Sequence, residues 1–238
     1  LAVVKSNTTL RLRNQTDPFI FILNNYNILF NYKRMNRNFL VLIRHGQSEW
    51  NKLNLFTGWK DPGLTNKGIK ESEEAANKLN DFGITFDVMF TSKLIRAKDT
   101  GIKILKLLSQ EDIPVVEDEA LNERKYGDLT GLNKDEVRQK FGEKQVQIWR
   151  RSYNTAPPGG ESLFDTYQRV IPYFKENIVP EINARKNVLI SAHGNSLRAL
   201  RKYLENFSED EIVNIEIGTG EPIFYTSTNG DIKKYDWV

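Results

Sequence analysis

Two short apolar runs in this chain each end in a histidine followed by a glycine. Phe39-Leu-Val-Leu-Ile43 leads into Arg44-His45-Gly46, and Val188-Leu-Ile-Ser-Ala192 leads into His193-Gly194. A continuous apolar run of that length suits a strand buried on both faces, and such strands belong to parallel sheets covered by helices. In open sheets of this kind, sites form beyond the carboxyl ends of the strands. The pattern therefore delivers Arg44, His45 and His193 to one candidate cleft. These are the only two histidines among 238 residues. A helix opening at Gly194 adds free N–H groups beside His193, which favour an anion there.

The remaining pattern agrees with an α/β chain. Val88–Thr91 and Val115-Val116 read as further strands, and Pro222–Thr228 with Ile232–Tyr235 as a closing hairpin around Asn229-Gly230. Thr65 is placed to cap a helix running to about Leu79, and Arg96–Leu108 has helical spacing. Leu121–Leu132 reads as a loop. Lys134–Tyr153 reads as two helical stretches parted near Gly142, and Ala156-Pro-Pro-Gly-Gly160 as a hard break. A helix over Leu163–Asn183 is expected to bend near Pro172 and Pro180. Asn195–Leu204 closes the list of helices. Strands alternating with helices predict a three-layer α/β/α sandwich with a mostly parallel central sheet.

Composition excludes several classes. There is no cysteine, so disulfides and thiolate zinc sites are ruled out. The net charge of +3 is unevenly spread: residues 1–37 hold six basic residues and one acid, +5, which leaves −2 for the rest. A net acidic body does not suit nucleic-acid binding, so any anion site must be built from placed cations. Residues 1–37 read as an extension, either disordered or upstream of a true start at Met35. The apolar part of this segment is too short and too broken by asparagine to span a membrane. Residues 38–238 read as one catalytic domain. A cytoplasmic location is expected, with residues 1–34 leaving an organelle address open.

The segment Arg-His-Gly-Gln-Ser-Glu-Trp-Asn at 44–51 resembles the signature of the cofactor-dependent phosphoglycerate mutases of the histidine phosphatase superfamily. Further matches follow in order: Phe-Thr-Gly-Trp (56–59), Thr-Ser-Lys-Leu-Ile-Arg-Ala (91–97), Leu-Asn-Glu-Arg-Lys-Tyr-Gly-Asp (121–128), Gly-Leu-Asn-Lys (131–134), Trp-Arg-Arg-Ser (149–152), Pro-Pro-Gly-Gly-Glu-Ser (157–162) and Ala-His-Gly-Asn-Ser-Leu-Arg (192–198). One Arg-His-Gly is a weak signal; this ordered set over residues 38–238 is specific.

The resemblance implies that His45 carries the phosphoryl group as phosphohistidine, and the chemistry fits. A neutral imidazole attacking phosphorus splits one hard transfer into two easier ones, and a transferring phosphoryl group needs fixed cations and N–H donors. Arg44 and Arg96 match the clamping arginines, whose planar forks suit phosphate. His193 matches the second histidine and Glu123 the proton donor and acceptor. A desolvated carboxyl group with a raised pKa would serve both of the latter's roles. Gln47, Ser48, Asn51, Thr57, Gly58, Arg124, Tyr126, Lys134, Arg150, Arg151, Gly194 and Asn195 match substrate contacts.

Lys134 and Arg150-Arg151 bear on the choice within the superfamily, because simple phosphatases of this fold usually lack that basic insertion. The implied activity is an isomerase of glycolysis and gluconeogenesis that interconverts 3-phosphoglycerate and 2-phosphoglycerate, primed by 2,3-bisphosphoglycerate and independent of metal. The alternative is a histidine phosphatase acting on a small phosphorylated metabolite. Neither nucleic acid nor membrane is expected as a partner, and relatives suggest a homodimer or homotetramer.

Overall fold

The computed structural model describes residues 37–228 and 230–237. The extension expected over residues 1–37 and the expected true start at Met35 lie outside the described residues, except for Arg37. Asn229, at the expected hairpin turn, lies outside them too.

Six strands form one sheet. They are β1 (Asn38–Arg44), β2 (Val88–Thr91), β3 (Val115–Glu117), β4 (Val188–Ala192), β5 (Pro222–Thr228) and β6 (Asp231–Tyr235), in the order β3-β2-β4-β1-β5-β6. The first four are mutually parallel, while β5 and β6 run antiparallel as an edge hairpin. The strands β1, β2 and β4 are buried almost throughout, as their continuous apolar runs require.

Alternation along β1 divides its side chains between two cores. Phe39, Val41 and Ile43 pack with Ala75, Leu79 and Phe82 of the helix Asn66–Phe82 and with Ile104 and Leu105 of the helix Ile95–Leu107. Leu40 and Leu42 pack with Val170 and Ile171 of the helix Leu163–Tyr173 and with Leu197 and Leu200 of the helix Gly194–Glu205. Helices thus cover both faces, giving the expected three layers. Each fully buried Leu or Ile here contributes roughly 1.5–3 kcal/mol.

The helix boundaries follow their caps. Thr65 Oγ1 accepts from the Gly68 amide at 3.1 Å, and the helix it opens runs past Leu79 to Phe82, where Gly83 takes the left-handed conformation at φ 65°. Ser162 and Asp165 form a reciprocal capping box for the helix Leu163–Tyr173. Pro172, which has no N–H to donate, is followed by a π-helical turn over Phe174–Ile178, and Pro180 sits at the start of the helix Val179–Asn183. The sequence pattern gives no sign of the four-residue helices Glu49–Lys52 and Glu209–Ile212, which are too short to show a period. The loop read over Leu121–Leu132 contains one 3-10 turn, Gly127–Leu129, and shares Leu121 with the end of another, Glu119–Leu121.

A satellite core of Phe56, Leu129, Val137 and Val146 holds the helices Lys134–Phe141 and Glu143–Arg151, parted at Gly142 as expected. Among the described residues, no helix is long and apolar enough to cross a membrane.

Candidate active site

Sheet register builds the site. Arg44 stands opposite Ala192 between β1 and β4, and Thr91 opposite Ser191 between β2 and β4. The next residue of each strand, His45, His193 and Ser92, therefore emerges at one carboxyl edge. The His45 amide extends the ladder by one bond to Ala192 O at 3.0 Å. The two imidazoles meet with ring centroids 4.9 Å apart and planes inclined at 61°.

Hydrogen bonding fixes the tautomer of His45. Its Nδ1 lies 2.7 Å from the Gly46 carbonyl, which can only accept, so Nδ1 carries the proton and Nε2 keeps its lone pair. Burial, reinforced by the charges of Arg96 and Arg44, holds its pKa well below the ordinary value. A buried neutral imidazole with a free Nε2 can act as a nucleophile. His193 is neutral for the same first reason, burial, with Arg96 and His45 adding to it. Its Nε2 meets Ser92 Oγ at 2.7 Å and its Nδ1 has no partner.

The arginines are anchored through backbone carbonyls. Arg96 donates to Lys60 O at 2.8 Å and Gly58 O at 2.9 Å, with Asp61 3.8 Å away. Burial lowers its pKa to about 10, which leaves it charged at neutral pH. Arg44 donates to Ile217 O at 2.8 Å.

Glu123 faces them. Its Oε1 accepts from the Arg124 amide at 2.8 Å and from the Asn195 side chain and amide at 2.9 and 3.2 Å. Burial alone would raise its pKa as the sequence reading supposes. The Arg124 and Asn195 hydrogen bonds and the charges of Arg96 and Arg44 outweigh burial and hold it below the usual carboxylate range. In this cavity Glu123 is therefore ionised at neutral pH.

The cavity between these groups measures about 150 Å³. Its lining includes Arg44, His45, Asn51, Thr57, Arg96, Glu123, Tyr126, Lys134, Arg150, Arg151, Gly194 and Asn195, all expected from sequence, and also Leu55, Arg198 and Glu216, which were not. His193 and Arg124 sit against it without lining it; Arg124 donates to Arg150 O at 3.1 Å and stacks on the Tyr126 ring at 5.0 Å. Three expected residues stand back from the lining. Gln47 bonds Thr65 and Glu71, Ser48 caps the helix Glu49–Lys52, and Gly58 contributes the carbonyl that holds Arg96. Arg198 follows Asn195 by three positions on one helix and closes the segment Ala-His-Gly-Asn-Ser-Leu-Arg at 192–198, so its spacing is a usable signal. Glu216 sits in a loop and offered none.

The lining counts six cations, Arg44, Arg96, Lys134, Arg150, Arg151 and Arg198, against the two carboxylates of Glu123 and Glu216. Burial first, then like charge from neighbours, lowers the pKa of Lys134 and Arg150. Among the described residues, five buried side-chain polar atoms at this site lack a hydrogen-bond partner: Arg44 Nε, Thr57 Oγ1, Arg124 Nε, Arg151 Nη1 and His193 Nδ1. Buried polar atoms are rarely left unpaired. A polyanionic ligand would answer both the surplus of positive charge and the unmade bonds.

Comparison with known proteins agrees with this geometry. The family model described as "Histidine phosphatase superfamily (branch 1)" matches residues 40–233. A 2,3-bisphosphoglycerate-dependent phosphoglycerate mutase of Bartonella henselae is 60% identical over 187 residues, covering 79% of this chain and 91% of the relative. A phosphoglycerate mutase of Schizosaccharomyces pombe is 57% identical over 188 residues, covering 79% and 89%. Among solved structures, Bacillus stearothermophilus YhfR superposes with a TM-score of 0.72 at 25% identity, covering 83% of this chain and 95% of its own. The alpha-ribazole phosphatase of Shigella flexneri gives 0.71 at 24%, covering 83% and 94%, a likeness of fold alone.

Proposed function

The chain belongs to branch 1 of the histidine phosphatase superfamily, and on that footing we propose that it interconverts 3-phosphoglycerate and 2-phosphoglycerate through a phosphohistidine at His45. The observation that carries this reading is the pairing of one neutral imidazole, its Nε2 free, with cations enough for a ligand charged at both ends. 2,3-Bisphosphoglycerate supplies the phosphoryl group that primes His45, and the unpaired donors of Arg44 and Arg151 fit such a polyanion.

In this mechanism Arg44, Arg96 and His193 hold the transferring phosphoryl group. Arg96 and Arg44 act as fixed charges because carbonyls of Gly58, Lys60 and Ile217 already orient them. Phosphorylated His45 passes its group to the 2-hydroxyl of 3-phosphoglycerate: the Nε2–P bond breaks, the O–P bond forms, and Glu123 takes the hydroxyl proton. After the bound ligand turns end for end, Glu123 returns the proton to the 3-oxygen and His45 takes the 3-phosphoryl group. The carboxylate and second phosphate rest against Tyr126, Lys134, Arg150, Arg151 and Asn195, with Asn51 and Thr57 on the near side. Gln47, Ser48, Gly58 and Arg124 act through the backbone and side chains they hold.

The proposal includes residues 38–238 as a single catalytic domain working in the cytoplasm as a homodimer or homotetramer. Val115 and Val116 on the edge strand β3 expose apolar surface suited to such pairing.

The test is conversion of 3-phosphoglycerate to 2-phosphoglycerate with a metal chelator present, with and without 2,3-bisphosphoglycerate. Chelator-resistant conversion stimulated by the bisphosphate supports the reading. Release of inorganic phosphate without conversion overturns it in favour of a phosphatase.

A further inference from the structure

Glu216 is out of place by charge. It is the second of two carboxylates in a cavity lined by six cations, and unlike Glu123 it has no place in the phosphoryl transfer described above. It pairs with two of those cations: one oxygen meets Arg151 Nη2, and the other lies 3.4 Å from Arg198 Nη2. Its position is built. The residue before it, Ile215, accepts from Arg198 Nε at 2.8 Å, and the residue after it, Ile217, accepts from Arg44 Nη1 at 2.8 Å. Two cavity arginines thus pin the backbone on both sides of Glu216, which presents its side chain to a third.

The partners are unequal in mobility. The Glu216 side chain is 70% exposed, whereas those of Arg198 and Arg151 are 11% and 23% exposed. Arg198 is also tied to Asn195 Oδ1 at 3.2 Å, and Asn195 in turn to Glu123. The carboxylate can swing into water at little cost, while the guanidinium groups cannot follow. A partly exposed pair of this kind is worth no more than about 1 kcal/mol, so a better anion displaces it.

We propose that Glu216 is a specificity-determining residue, an internal anion that occupies the outer subsite formed by Arg151 and Arg198 until a ligand's second anionic group replaces it. The inference deepens the reading of the site as one for phosphoglycerates and rests on it. A ligand with a single anionic group settles against Arg44, Arg96 and the histidines and leaves Glu216 in place. A ligand with two must move it. Glu216 therefore weakens two-ended ligands selectively, and its return to the arginines helps product leave, a step that often limits turnover.

The experiment is calorimetric titration of the unphosphorylated full chain with inorganic phosphate and with 3-phosphoglycerate, which does not turn over without primer. Wild type is compared with Glu216→Gln and Glu216→Ala; both changes lie on an exposed side chain, so folding is retained and is checked by circular dichroism. The expected result is affinity for 3-phosphoglycerate raised about fivefold, with affinity for inorganic phosphate changed less than about twofold. Equal changes for both ligands, or weaker 3-phosphoglycerate binding, overturn the proposal and make Glu216 an orienting group for the arginines. A wild-type chain that binds phosphate but not 3-phosphoglycerate overturns the substrate reading instead, and Glu216 is then judged by the same ratio with pyrophosphate, another two-ended anion.

Discussion

His45 and His193 stand 4.9 Å apart at the carboxyl edge of two adjacent parallel strands, both buried and both neutral. They are not interchangeable. His45 spends Nδ1 on its own turn and keeps Nε2 free, while His193 spends Nε2 on Ser92 and keeps Nδ1. Replacement of His45 by Gln is expected to abolish acid-labile phosphate incorporation from labelled bisphosphoglycerate and to lower kcat on the order of 10⁴-fold or more. Retained labelling would move the nucleophile elsewhere.

Neutral burial of both histidines has a consequence for stability. Below about pH 6.5 an unfolded chain protonates its histidines, while the folded chain holds both well below that value. The unfolded state then binds more protons, so stability falls as pH falls, by up to about 1.4 kcal/mol per pH unit for each histidine. Urea midpoints measured between pH 7 and 5.5 should drop in wild type and drop less in His45→Gln. That window lies above the carboxylate range, where Glu123 would begin to contribute. A midpoint independent of pH there would mean that the histidines are not buried neutral.

How much of this was legible in sequence depends on the length scale of the signal. The strands β1, β2 and β4 were readable because burial on both faces writes a continuous apolar run. The partnership of His45 with His193 was readable because both follow such runs. Arg44, Arg96 and Glu123 needed the ordered motifs, since a lone arginine or glutamate has no pattern of its own. Glu216 was not legible: its placement depends on carbonyls of Ile215 and Ile217 being held by arginines from two other elements. The ionised state of Glu123 was missed for a related reason, because it is a balance of burial against four partners far apart in the chain.

Arg169 shows how distant residues aim the proposed acid–base group. One guanidinium donates to Ala120 O at 2.8 Å, Asn122 O at 3.0 Å and Glu123 O at 3.0 Å, and pairs with Glu161 at 3.0 Å. Trp59 Nε1 adds a second bond to Glu123 O at 2.6 Å. A lysine cannot make this fork. For Arg169→Lys, kcat should fall about 10²-fold, as a small misplacement of a reacting group permits. The KM for 3-phosphoglycerate should stay within about threefold, since the ligand's own contacts persist. A rise in KM at unchanged kcat would assign Arg169 to binding.

Gly46 offers the sharpest test of the link between packing and chemistry. A Cβ built on it would lie 2.2 Å from the Gly68 carbonyl oxygen, and one built on Gly68 would lie 2.2 Å from the Gln47 carbonyl oxygen. The turn after β1 and the first turn of the helix Asn66–Phe82 thus touch backbone to backbone, and neither has a flexible side chain to move aside. Gly46→Ala should cost about 3 kcal/mol, the upper range for overpacking, read from urea unfolding. The same substitution displaces the Gly46 carbonyl that fixes the His45 tautomer. Turnover by the folded fraction should therefore fall as well, because an imidazole that loses this bond no longer presents Nε2 in one direction. A stable Gly46→Ala chain with full activity would show that the close approach is dispensable and that His45 is oriented by something other than its own turn.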